Sequence, residues 1–96
     1  SDDGRLAPVA GGKAWMAPTL LREGPYRFFF YLNEGNEPAH VHVQEGNKSA
    51  KFWLEPLALA SSKHFPAHQL AELTRIISRN RERFLEVWNE RFPRVH

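Results

Sequence analysis

The sequence predicts an α+β domain, a curved antiparallel sheet of three to four strands with a C-terminal helix or helix pair packed on one face. Three observations lead there. Between Tyr26 and Leu54 apolar residues alternate with polar or aromatic ones, the period of strands with one dry face. Short clusters of Gly, Asn, Glu and Pro interrupt that alternation, as turns of a meander do. From Pro66 to Phe92 the apolar period becomes helical.

Taken in order, Thr19 to Arg22 is a short strand, Glu23-Gly24-Pro25 a turn, and Tyr26 to Leu32 a strand rich in the aromatic residues that suit a pleated surface. Asn33 to Pro38 reverses the chain. His40 to Gln44 is the next strand, Glu45-Gly46-Asn47 a turn, and Ala50 to Leu54 the last strand, stopped by Pro56. In the C-terminal segment Leu70, Leu73, Ile76, Ile77, Phe84, Val87, Trp88 and Phe92 share one side, while Glu and Arg residues of mixed sign occupy the other as a solvated surface. A single helix over that range is roughly 40 Å long. A break near Ser78 to Asn80, with Asn80 as a cap, is the alternative, and Pro66 suits the first turn.

Alternation separates two faces. Phe28, Phe30, Leu32, Val41, Val43, Ala50, Phe52 and Leu54 form the dry one. The other collects Arg27, Phe29, Tyr31, His40, His42, Gln44, Lys51, Trp53 and Glu55, a surface that is cationic, aromatic and titratable at once. On this reading it is left open for recognition. Arg81 falls toward the apolar side of the helix, where it either packs its stem or brings a cation to the sheet or to an anionic ligand.

The chain has 96 residues, 42% of them hydrophobic, which fits one globular domain with a modest core. Residues 1–15 mix Gly, Pro and Asp without a period and are expected to be a tag or mobile N-terminal extension, Met16 being read as the natural start of a domain over 16–96. The absence of cysteine excludes disulfides and thiolate metal sites and agrees with a cytoplasmic setting. No apolar run approaches the roughly 20 residues of a membrane span, so no membrane role is expected. A net charge of +2 allows an anionic partner but is no nucleic-acid signature.

Three chemistries fit the titratable face. In the first it binds RNA and cleaves it without a metal, His40 or His42 moving the proton, Arg27 and Lys51 meeting phosphate, and Tyr31, Trp53, Glu55 and Arg81 completing the ligand contacts. In the second, His40 and His42 bind a divalent metal such as zinc, with Glu34, Glu37 or Glu55 adding a carboxylate. In the third, the aromatics or an open sheet edge dock a protein partner without catalysis.

The runs RFFFYLNEGNEPAHVHV, AKFWLEPLALA and NRERFLEVWNERF resemble a small bacterial family, the domain of unknown function numbered 4160. The resemblance covers about Met16 to Phe92. It departs at Ala39, where the family has a second proline, and at Pro66, where it has Ser or Thr near the helix start. The resemblance implies an α+β domain often encoded beside another small reading frame, as in toxin and antitoxin pairs. The function expected from it is a toxin-like or regulatory protein that binds an anionic ligand, plausibly RNA, and is held by a cognate small protein encoded nearby. The family brings no catalytic residues to carry over.

Overall fold

The computed structural model describes residues 17–93, so the expectations for the N-terminal extension and for Met16 lie outside the described residues. Five strands follow one another: β1 (Thr19–Glu23), β2 (Tyr26–Phe29), β3 (His40–Glu45), β4 (Lys48–Leu54) and β5 (Leu57–Lys63). They make one sheet in sequence order, every neighbouring pair antiparallel. One helix, α1 (Ala67–Arg91), completes the α+β fold. Gly24 and Gly46, at φ of +57° and +59°, make the tight turns β1–β2 and β3–β4, a conformation that side-chain-bearing residues rarely adopt.

The sheet has five strands rather than three to four. Pro56 does end β4, but the chain turns at Glu55-Pro56 and returns as β5, with Leu57 opposite Leu54 and Lys63 opposite Ser49. The segment LALASSK has no β-branched or aromatic residue, so propensity gives no hint of it; main-chain bonds to β4 are what make it a strand. β2 is shorter than expected and stops at Phe29. Phe30 leaves the sheet line and is fully buried against Trp88 and Phe92, with ring centres 5.1 and 5.8 Å away.

The helical segment is one helix, not a pair. Asn80 caps nothing: its amide donates to the Ile76 carbonyl one turn back, at 2.8 Å. Arg81 Nε donates to the Leu54 carbonyl at 2.5 Å, fastening the middle of α1 to the end of β4. Twenty-five residues give a helix of about 37 Å. The molecule measures 36 × 33 × 19 Å, so α1 runs its full length and the domain is only two layers thick.

Between those layers Phe28, Val41, Val43, Phe52 and Leu54 from the sheet meet Leu73, Ile76, Ile77 and Phe84 from α1. The expected strand parity therefore holds for β3: both valines enter the core beneath the helix, and both histidines lie on the other side of the strand, where His40 nonetheless meets Trp88 from the last turns of α1. The expectation of an open histidine face needs correction, because His40 is 0% exposed and Phe29 only 5%. The cause is the connection between β2 and β3, residues 30–39, which folds back over that end of the sheet together with the last turns of α1.

A candidate metal centre at the β2–β3 connection

The site begins with a turn in this connection. The Glu37 amide donates to the Glu34 carbonyl at 3.1 Å, and the Tyr31 amide donates to Glu34 Oε1 at 3.3 Å, so the loop holds its own carboxylate. Gly35 lets the loop lie against the end of α1: a Cβ there would sit 2.5 Å from Cδ1 of Phe92. Only a glycine passes that close without moving the ring.

Within this enclosure Glu34 Oε1 lies 2.9 Å from His40 Nε2 and 3.0 Å from His42 Nε2. The other oxygen is 3.1 Å from His42 Nε2. His40 is boxed in by Trp53 and by Trp88, with ring centres 5.7 and 4.9 Å away. His42 stacks on Phe29 at 5.5 Å and meets the edge of Tyr31 at 5.0 Å. The side chains of His42 and Glu34 keep 18% and 17% exposure, so solvent reaches the cluster from their side.

His40 Nδ1 is 2.9 Å from the Pro38 carbonyl, which can only accept, so Nδ1 carries a hydrogen. In neutral His40 the opposite nitrogen, Nε2, is then a bare lone pair aimed at Glu34. Burial alone raises the carboxyl pKa of Glu34, but the hydrogen bonds and charge of the two histidines outweigh it and hold the group below its ordinary value. An ionised Glu34 opposite a bare Nε2 would set two acceptors 2.9 Å apart, and either a proton shared between Oε1 and Nε2 or a metal ion relieves that opposition. His42, whose pKa burial lowers against the opposing pull of Glu34, favours its neutral, ligating form.

The residues fit a metal. Glu34, His40 and His42 each offer one donor atom, all within 4.8 Å of one another. The nitrogen-to-oxygen separations of 2.9 and 3.0 Å match the about 3 Å between ligands at right angles around an ion with bonds of about 2.1 Å. A ligating histidine that donates its other N–H to a backbone carbonyl is the usual support for such a site, and His40 has it. Two imidazoles and one carboxylate suit zinc, manganese, iron or nickel.

The other sequence-proposed residues are placed as follows. Arg27 is engaged away from the cluster: Nε donates to Thr19 Oγ1 at 2.7 Å, another nitrogen donates to the Ala17 carbonyl, and the guanidinium covers Phe29. Lys51 pairs with Glu37 at 2.7 Å and lies over Trp53. Tyr31 and Trp53 are aromatic neighbours of the histidines. Glu55 and Arg81 are 3.9 Å apart at the end of β4, where Arg81 is committed to Leu54. Sequence reasoning offered Glu34 only as one of three carboxylates and read Trp88 as plain core. The signal for both lay in contacts that close only when the loop folds over β3.

The architecture and site define a two-layer α+β domain with a His-x-His pair and a loop carboxylate. The chain belongs to the family described as domain of unknown function (DUF4160), whose model matches residues 26–89 and so includes all three cluster residues. No curated protein and no solved structure matches the chain. Among the described residues no helix is long and apolar enough to cross a membrane.

Proposed function

We propose that this protein binds a divalent transition-metal ion through Glu34, His40 Nε2 and His42 Nε2. The observation that carries the reading is the enclosed His40, whose Nδ1 is committed to the Pro38 carbonyl and whose Nε2 confronts a carboxylate. Three protein donors leave positions for water or a ligand, the donor count of reactive rather than purely structural sites. The metal would supply Lewis acidity there. The chain's own residues orient it: Pro38 fixes the His40 tautomer, the Tyr31 amide holds Glu34, and Trp53 and Trp88 exclude water from the inner side.

Metal-free RNA cleavage has less support, since His40 is enclosed and both Arg27 and Lys51 have partners. A toxin-like or regulatory role beside a cognate protein rests on the family resemblance, and co-expression with the neighbouring reading frame tests it through a complex stable to purification.

Calorimetry with zinc, nickel and manganese tests the metal. The expected result is one site per chain at micromolar concentration or tighter, weakened at least tenfold by Glu34→Gln and by His42→Ala. An intact protein that gives no heat with any of the three metals would overturn the reading.

A further inference from the structure

The strand that the sequence did not announce brings a second set of groups to the outer face. Across the sheet Phe29, His42, Lys51 and Ser61 stand in one row, from β2 through β3 and β4 to β5. Gln44, Ser49 and Lys63 form the next. Between these rows lies an open groove of about 360 Å³. One end is aromatic, with Phe29 and Tyr31; the other has Ser61, Ser62 and Lys63; Lys51 lies along it. Two lysines and three serines line it, and no carboxylate does. Lys63 has no carboxylate partner among the described residues, and Glu37, which engages Lys51, stands outside the lining.

From this distribution we infer that the groove binds an organic phosphate with a planar ring. The phosphate lies between Lys63 and the hydroxyl of Ser61, which share the outer face of β5, and the ring lies against Tyr31. The physical grounds are three. A cleft with cationic and hydroxyl donors and no carboxylate suits an anion with several acceptor oxygens. An aromatic wall is a stacking platform for any base. A volume near the lower limit for small-molecule sites, about 300 Å³, fits a ligand of mononucleotide size. The anion site proposed here lies on β5, away from Arg27. Of the proposed metal ligands only His42 lines the groove, and the phosphate end of the site does not require the metal.

Amide chemical-shift titration of the full chain tests it, with adenosine 5′-monophosphate, adenosine, inorganic phosphate and a short oligoadenylate as probes. The monophosphate is expected to shift the amides of residues 61–63 saturably, and adenosine to bind at least tenfold more weakly. Lys63→Glu, an exposed substitution, should weaken the monophosphate at least tenfold. Binding should persist in Glu34→Gln, which separates this site from the metal centre. Oligoadenylate binding more tightly than the monophosphate assigns the phosphate to an RNA strand, and weaker binding assigns it to a free nucleotide; either supports the site. Adenosine binding as well as its monophosphate, no saturable shift at millimolar concentration, indifference to Lys63→Glu, or loss of binding in Glu34→Gln would each overturn it.

Discussion

At the scale of single residues, Glu34 separates stability from function. A glutamine there keeps the shape and replaces one oxygen with an amide donor, which can satisfy the lone pair of His40 Nε2 that the carboxylate opposes. In chelator, Glu34→Gln is therefore expected to melt at or above the temperature of the unsubstituted protein. With metal at about 100 times its Kd the unsubstituted protein gains about 2.7 kcal/mol, and a variant that binds at least tenfold more weakly gains no more than about 1.4 kcal/mol. Differential scanning with and without zinc checks both halves; a variant that melts lower in chelator and gains as much from zinc as the unsubstituted protein contradicts them. Tyr26 gives the clearest dependence on pH. Burial first, and then its hydrogen bond to Glu72 at 2.8 Å, raise its phenol above the ordinary value of about 10. A raised phenol pKa favours the protonated, folded form, so this contribution is complete below about pH 10 and is lost as pH climbs through the folded value. Tyr26→Phe should unfold with a shallower loss of stability above pH 10 than the unsubstituted protein, at a neutral-pH cost of about 1 kcal/mol, measured by urea titration across pH. The aromatic character of Tyr26 was legible in the sequence. Its partners Glu72 and Gln69, on a helix far along the chain, were not.

At the scale of elements, the loop over residues 30–39 is the part that local pattern could not give. Period-two alternation extends on paper through Leu32, yet Phe30 is drawn out of the sheet by Trp88 and Phe92, which no local window contains. Gly35 is the hinge of that arrangement. Gly35→Ala forces its methyl into Phe92 and should cost about 1–3 kcal/mol as an overpacked contact, with weaker metal binding because the adjacent Glu34 moves too. Adding Phe92→Ala frees the space, so the double variant should cost less than the sum of the two single ones in chemical denaturation. β5 was illegible for a different reason: an edge strand of Leu, Ala and Ser is held by ladder bonds and carries no compositional mark. The helix was legible in the centre of its apolar face, since Leu73, Ile76, Ile77, Phe84 and Trp88 are all buried, whereas Leu70, Val87 and Phe92 are only partly so. Its continuity was not, because Asn80 fits a cap and a bond to the preceding turn equally well until the geometry is known.

At the scale of the whole molecule, one layer of sheet and one helix share a single core, with no second layer behind the sheet to compensate for a loss. Phe84 is 1% exposed and its ring lies 6.0 Å from that of Phe28 across the interface. Phe84→Ala should cost about 3–5 kcal/mol, a large part of the roughly 5–15 kcal/mol that holds a typical domain folded. Urea unfolding followed by tryptophan fluorescence measures it; a loss under 1 kcal/mol would mean that the layers adjust far more freely than this packing implies.

The same economy governs when the proposed metal site comes into being. Its three donors are all made early, between Glu34 and His42, but the indole that shuts His40 away from water belongs to the closing turns of α1. A nascent chain therefore presents all three donors to solvent long before it can enclose one of them, and the proposed site is complete only once Trp88 has been made.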